Sequence, residues 1–266
     1  MKLIPISVTL ILITLIWSCQ SSTENNQAAE NAQEQENPAA EGFNFEGSDP
    51  EAIKIADNVM KAMGGRKNWD NTKYISWTFF NRRKLLWDRW KNKVRIETIG
   101  ENPTIYLLDM NTMEGKVFKD SIEITETDSL KKYLSRANSI WINDSYWLCM
   151  PLKLKDTGVT LKYLREDTTR NGMTAHVLGL SFKEVGDTPF NRYEVFVNKE
   201  SNLVTQWKYY RYSEQDTANW TRYWDNYQKY GNLLLSGDRD EGGPGNIKVL
   251  ETVPEEAFTS LEPVSI

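Results

Sequence analysis

The sequence predicts a mainly β protein with a few helices (α+β), built on one antiparallel sheet of about ten strands. After Trp69 the spacing of apolar residues changes from a helical period to a period of two. The apolar runs are joined by short connections, which antiparallel strands allow. Helical spacing is found mainly over 48–65 and 127–151. A sheet of this size in meander order is expected to curl into a barrel or half-barrel.

The N-terminus carries the pattern of a secretion signal. Lys2 precedes an apolar run over 3–17, which is shorter than the about 20 residues of a membrane-spanning helix. The run ends in Ile16-Trp17-Ser18-Cys19, which resembles a bacterial lipobox. We therefore predict a lipoprotein signal peptide over 1–18; a retained anchor helix and a soluble secreted chain are the alternatives.

The resemblance to bacterial lipoproteins implies that Cys19 is lipidated, which would be a permanent membrane attachment. In Gram-negative sorting, Gln20 after the cysteine indicates the outer membrane, and the face on which the domain lies is left open. Residues 19–49 are predicted to be a disordered acidic and polar tether, because residues 20–49 contain almost nothing to bury.

The charge and the cysteine count exclude some classes of function. Loss of Lys2 with the signal would change the net charge from −5 to −6, and this acidity argues against nucleic acid as a partner. With Cys19 lipidated, Cys149 is the remaining thiol, so no internal disulfide is expected.

The folded domain is predicted to span 50–253, preceded by a helix cap and followed by a tail. The first helix lies within 48–65, where Ser48 or Asp49 is the expected cap and Ser48 and Glu51 have the spacing of a capping box. The strands are predicted at 74–80, 84–90, 93–98, 104–109, 116–119, 159–165, 174–182, 192–198, 203–212, 221–230, 233–236 and 246–252. The tail over 254–266 is acidic and prone to fray.

A helical insertion over 127–151 interrupts the strands. Thr127 or Asp128 is the expected cap, and the second half is rich in apolar residues, among them Trp141, Tyr146 and Trp147.

The residue types that carry catalysis or bind metals give weak signals. His176 is the sole histidine and lies mid-strand, and Cys149 has apolar neighbours that disfavour its thiolate. The loop 238-DRDEGG-243 begins like a calcium loop but lacks the later ligands, so we interpret it as a solvated acidic loop. We expect no metal, no cofactor and no catalytic residues.

The aromatic residues are the strongest remaining feature, with ten Trp and twelve Tyr in the chain. Along the first predicted strand Ile75, Trp77 and Phe79 share one face. Such residues fill a core or line a groove, and both interpretations stay open at this point.

Three stretches resemble an uncharacterised family of lipid-anchored bacterial proteins that is grouped by fold with the LolA/LolB-type lipoprotein carriers. They are 62-AMGGRKNWDNTKYISWTFFNRRKLLWDRW-90, 141-WINDSYWLCMPLKLKDTGVTLKYL-164 and 235-LSGDR-239. The resemblance implies an antiparallel half-barrel whose concave apolar face is covered by helices and holds acyl chains. The candidate lining residues are Trp77, Phe79, Trp87, Trp90, Trp141, Tyr146, Trp147 and Trp207.

The leading functional hypothesis is a non-catalytic outer-membrane lipoprotein that binds a hydrophobic small molecule, a lipid or a lipoprotein acyl chain. A surface that stacks aromatic rings of 141–147 on glycan or peptidoglycan is one alternative. A hydrolase that uses carboxylates such as Asp88, Asp144 or Asp225 is the other, and it needs two acids within about 5–10 Å of each other. No protein partner is predicted.

Overall fold

The computed structural model describes residues 36–183, 185–188, 190–262 and 264. Cys19, the signal peptide and the first part of the tether therefore lie outside the described residues. The helices are α1 (Pro50–Ala62), α2 (Arg66–Asn71) and α3 (Thr127–Cys149). In the part of the chain that is described, no helix is long and apolar enough to cross a membrane.

The strands occupy most of the remaining chain. In order they are β1 (Tyr74–Phe79), β2 (Arg83–Asp88), β3 (Lys93–Thr98), β4 (Thr104–Asp109), β5 (Glu114–Lys119), β6 (Ile122–Glu123), β7 (Val159–Thr168), β8 (Thr174–Phe182), β9 (Arg192–Asn198), β10 (Val204–Tyr210), β11 (Trp220–Tyr223), β12 (Asp225–Tyr230), β13 (Leu233–Asp238) and β14 (Pro244–Leu250).

All the strand pairs are antiparallel, and the sheets do not close. One sheet has the order β14-β1-β2-β3-β4-β5-β6, a second has the order β11-β10-β9-β8-β7, and β12 pairs with β13. Nearly every strand pairs with its neighbour in the chain, as short connections require. The predicted mainly β, antiparallel α+β class is confirmed, whereas the predicted single sheet of about ten strands is replaced in the described chain by three sheets of seven, five and two strands.

One hydrophobic core joins the sheets and the helices. It contains Ile75, Trp77 and Phe79 of β1, which share a face because side chains alternate along a strand. It also contains Trp207 of β10, and the apolar side of α3 packs against it. The helix connects β6 to β7 and covers the face on which the sheets meet.

The folded body begins before the predicted boundary at residue 50. The backbone of Ala40 donates to the carbonyl oxygen of Lys155 at 2.9 Å, and Phe43 is buried in the main core. Residues 37–49 thus pack along the start of β7, and the predicted tether is too long at this end. A single buried aromatic residue in a polar stretch is enough to hold such a segment once a strand edge is available.

The tail is also part of the body. Ala257 and Val264 form a small second core with Tyr74 and Leu86, on the face of the sheet opposite the main core. The guanidinium of Arg95 is 2% exposed and donates to backbone carbonyl oxygens of the tail. The predicted fraying does not occur over the described part of the tail, because this arginine holds it.

The N-cap of α1 is one of the two predicted residues, whereas the N-cap of α3 is not. Asp49 is the N-cap residue of α1 but makes no cap bond; its carboxylate accepts from Lys162 and from the backbone of Tyr163 instead. The N-cap of α3 is Glu126, whose carboxylate accepts from two backbone N–H groups of the first turn. Asp49 bonds to residues of β7 and is therefore not available to cap α1, whereas the longer side chain of Glu126 reaches the first turn of α3.

Candidate functional site

The predicted lining residues divide into three groups. Trp77, Phe79, Trp87 and Trp207 are buried in the main core, on the inward faces of their strands. Trp141, Tyr146 and Trp147 are partly buried on the side of α3 that packs against this core. Trp90 does not face the interior at all: it is 60% exposed.

The position of Trp90 corrects the predicted lining. The alternation of β2 ends at Asp88, whose carboxylate accepts from the backbone N–H of Trp90 at 3.0 Å and of Lys91 at 2.9 Å. These two bonds form a tight turn, which directs the indole outward.

The second half of α3 contacts a continuous group of rings that we call the aromatic block. The ring of Trp147 lies 5.0 Å from Trp207, 5.4 Å from Phe80 and 6.1 Å from Phe79. Most of these contacts are edge-to-face, the geometry that aromatic rings prefer. The block consists of Phe79, Phe80, Tyr146, Trp147, Phe182, Tyr193, Trp207, Tyr209, Trp220 and Trp224.

A second group of rings lies at the middle of α3. Trp141 packs edge-on against Trp87 at 5.2 Å, and Trp87 packs against Trp69 at 6.4 Å. The guanidinium of Arg89 stacks over Trp69 at 3.4 Å. Burial lowers the pKa of Arg89 to about 10. Aromatic side chains therefore fill the space between α3 and both sheets.

The described cavities lie elsewhere. The larger has a volume of about 190 Å³ and is lined by residues of α1, α2 and the segment before them, among them Asp57, Lys61 and Arg66. A ligand pocket usually measures about 300–1,000 Å³. In this conformation the protein's own rings occupy the predicted groove.

This aromatic interior contains several buried hydrogen-bond donors without a partner. Among the described residues, the aromatic side chains with an unpartnered donor are Trp77, Trp87, Trp141, Trp207 and Trp224, through their indole nitrogens, and Tyr146, through its hydroxyl. A buried donor without an acceptor costs about 1–3 kcal/mol. Both walls of the interface contribute, because Trp141 and Tyr146 belong to α3 and the others to strands or to the residue before β12.

Two polar links attach α3 to the sheets. The guanidinium of Arg83 on β2 donates to both carboxylate oxygens of the fully buried Asp144, each at 2.8 Å. Burial raises the pKa of Asp144, although the hydrogen bonds from Arg83 oppose that shift.

The second link lies near the end of α3. Arg239 follows β13, is fully buried, and donates to the carbonyl oxygen of Trp147 at 2.7 Å. Its guanidinium stacks over Trp224 at 3.5 Å, and burial lowers its pKa to about 9. No motif in the sequence marks Arg239 as a site residue, since only the fold brings it to the helix.

The residues that were considered for catalysis do not converge. Asp144 is paired with Arg83 at the start of β2, while Asp88 lies at its other end, roughly 17 Å along the strand. Asp225 is exposed on β12. Over the described ranges, no group of three or more His, Cys, Asp or Glu side chains is arranged to hold a metal ion.

The cysteine and the histidine have structural surroundings. Cys149 is buried at the end of α3, and burial raises its pKa to about 12, which disfavours the nucleophilic thiolate. His176 lies on β8 with its Nδ1 atom 3.3 Å from the hydroxyl of Tyr163.

No protein-family model and no curated protein matches the chain. Three solved structures are similar in part. A DUF1329 family protein from Desulfovibrio piger is 11% identical, with coverage of 78% of this chain and 96% of that one and a TM-score of 0.42. A putative outer membrane lipoprotein-sorting protein domain from Vibrio parahaemolyticus is 10% identical, with coverage of 79% of this chain and 96% of that one and a TM-score of 0.37. MucB is 12% identical, with coverage of 82% of this chain and 66% of MucB and a TM-score of 0.30. Similarity at this level carries no argument about function.

Proposed function

We propose that the sheets form a half-barrel that binds an elongated apolar ligand between α3 and the rings that the strands contribute to the aromatic block, without catalysis. The unpartnered donors at this interface carry the proposal. A permanent core gains nothing from six buried N–H and O–H groups that lack acceptors. An interface that opens for a ligand with acceptor atoms has a use for them.

Helix α3 is the element that moves in this proposal. Its first half is mainly exposed, with Leu134 and Ala137 as its buried residues, and its second half is held by the links from Arg83 and Arg239. Outward movement would withdraw Trp141, Tyr146 and Trp147 from the sheets together. The space they vacate would be lined by aromatic faces on one side and open to solvent on the other.

The donors and the rings together indicate the class of ligand. Aromatic faces favour hydrocarbon, and a chain of sixteen methylenes could contribute roughly 13 kcal/mol before the costs of ordering. Indole and phenol donors favour carbonyl or similar oxygen acceptors. A lipid or a lipoprotein acyl group, with ester or amide carbonyls, satisfies both requirements.

The proposed location is the outer membrane, with Cys19 as the lipidated residue. A domain that is fixed to one membrane cannot shuttle between two, so we propose a receiver or holder of lipid. The support is the N-terminal sequence pattern, which resembles a lipobox.

Native mass spectrometry tests the binding. A chain that begins at residue 20 is expressed and purified, incubated with an envelope lipid extract, and separately titrated with a long-chain fatty acid ester. We expect added mass in the range of lipids and a change in tryptophan emission, because the rings of the aromatic block would change their environment. A clean mass together with unchanged emission would remove the proposal and leave a tethered scaffold.

A further inference from the structure

A surface at one end of the domain combines an exposed indole with lysines that have no acidic partner. It consists of α2, the flanking residues Lys61 and Lys73, the β2–β3 turn (89–92) and the β4–β5 turn (110–113), and we call it the α2 face. Trp90 is 60% exposed, and its indole N–H donates to the carbonyl oxygen of Asp70 on α2 at 2.9 Å. The ring is therefore held in place, with its donor satisfied and its apolar face in solvent.

The neighbouring turn extends this surface. The side-chain amide of Asn92 donates to the side chain of Asn111 at 3.0 Å, and Asn111 donates to the carbonyl oxygen of Lys91. Met113, on the same turn as Asn111, is 41% exposed. Two apolar side chains thus project from turns that are bonded to each other.

The α2 face is basic although the whole chain has a net charge of −5. Arg66 and Lys93 are paired with Asp70 and Asp109. The lysines of the described chain at this end that have no acidic partner within 4.0 Å are Lys61, Lys67, Lys73 and Lys91. The ammonium of Lys73 lies 5.4 Å from the Trp90 ring, so charge and indole form one patch.

The N-terminal part of the chain enters the body at this same end. Arg66 of α2 donates to the carbonyl oxygen of Pro38 at 2.7 Å, and Glu36 lines the cavity beside α2. Sixteen residues (20–35) lie between Cys19 and Glu36, and the 17 steps (36 − 19) from Cα to Cα can span at most about 60 Å. A membrane anchor at Cys19 would thus hold this end within reach of the bilayer.

We propose that the α2 face docks on an anionic lipid bilayer. Trp90 would lie among the headgroups, where indole rings are favoured, and Lys67, Lys73 and Lys91 would contact acidic headgroups. The rest of this acidic domain is repelled by the same bilayer, so docking selects one orientation. The proposal does not depend on ligand binding under α3, because α3 takes no part in it.

Amine footprinting of the full chain in nanodiscs tests this docking. One set of discs contains zwitterionic lipid, and the other contains about one-third phosphatidylglycerol. We expect Lys61, Lys67, Lys73 and Lys91 to react at least threefold more slowly in the anionic discs. Lys119 lies at the opposite end of the β4–β5 hairpin and serves as the internal control whose rate stays equal.

Matched variants separate docking from mere proximity. Trp90→Ala and the triple variant K67Q/K73Q/K91Q should abolish the protection of the lysines that remain on the α2 face, including Lys61. The triple variant K119Q/K131Q/K183Q changes the net charge equally and should preserve it. Equal rates in both kinds of disc, or protection that survives Trp90→Ala and the first triple variant, would overturn the proposal.

Discussion

Trp147 is the residue of α3 that contacts Phe79, Phe80 and Trp207 of the aromatic block. Its replacement therefore tests whether the space under α3 is a ligand groove or a permanent core. Trp147→Ala removes the ring that contacts Phe79, Phe80 and Trp207. We expect the free energy of unfolding to fall by about 3 kcal/mol and a long apolar cavity to appear under α3. Affinity for a fluorescent sixteen-carbon probe should rise at least fivefold, measured by titration beside urea unfolding.

Trp69→Ala is the matched control for this experiment. Trp69 is equally large and buried in the same core, but it lies beside Arg89 and not under the second half of α3. It should reduce stability similarly without a gain in probe affinity. Equal gains in both variants would mean that any cavity binds the probe and that α3 covers no groove.

Glu194 sets part of the acid sensitivity of the protein. Burial acts to raise its pKa, but the hydrogen bond and charge of Arg165 outweigh it, and the pKa is lowered. A carboxylate with a lowered folded-state pKa contributes stability above its unfolded pKa of about 4.3, and this is lost as pH falls through the folded value. Stability should therefore fall between about pH 5 and pH 3.

Glu194→Gln should make that dependence shallower and should lower stability at pH 7. The measurement is chemical unfolding at several pH values. Glu200→Gln serves as the control, since Glu200 is exposed in the turn between β9 and β10. An unchanged slope in Glu194→Gln would show that other carboxylates dominate the acid transition.

At the level of single residues, the sequence predicts inward positions well and tertiary partners poorly. Trp77 and Phe79 lie on the face that the alternation predicts, because a period of two leaves no other choice. As ligand contacts they stay predictions. Arg239 could not have been found, since its partner on α3 lies 92 positions away in the sequence.

At the level of elements, α3 is attached to β2 by an ion pair between Asp144 and Arg83 that a single substitution can weaken. Asp144→Asn keeps the size of the side chain but removes the charge that pairs with Arg83. Charge-assisted bonds contribute about 1.5–3 kcal/mol, so we expect backbone amides over 142–149 to exchange with solvent roughly tenfold faster. Hydrogen exchange with mass spectrometry gives the rates, and β8 provides the internal reference.

Asp49→Asn is the matched substitution elsewhere. Asp49 also pairs with a cation, Lys162, but on a more exposed surface away from α3. Exchange over 142–149 should not change in that variant. If Asp144→Asn leaves the exchange rates of α3 unaltered, the ion pair with Arg83 does not hold the helix and does not control the proposed opening.

The sequence predicts the helices and strands except where an element is too short to show a periodic pattern or where a tertiary contact interrupts it. The predicted strand over 221–230 is two strands, because Trp224 is buried and its backbone bonds to Thr205 of β10. Helix α2 has 6 residues, too few to show a period. Strand β6 has 2 residues and offers no alternation to detect.

For the whole molecule, the tail shows what the sequence pattern omits. The stretch 254–262 is acidic and has few apolar residues, so composition favours a frayed end. One buried arginine on a central strand reverses that outcome. Arg95 needs acceptors on the outer face of the sheet, and the tail supplies carbonyl oxygens at 2.5–3.3 Å.

Removal of residues 254–266 therefore tests whether the tail and the sheet form one unit. The effect of Arg95→Leu on the melting temperature should depend on whether the tail is present. In the full chain, Arg95→Leu should lower the melting temperature, because the tail carbonyls lose their donor. In the shortened chain, the outer face that carries Arg95 would be open to water, and Arg95 would keep Glu97 as a partner, so its guanidinium would be solvated. There Arg95→Leu should change the melting temperature little relative to the shortened chain with Arg95. Calorimetry of the four proteins measures both effects, and an equal fall in both backgrounds would show that the tail is not the partner that this arginine requires.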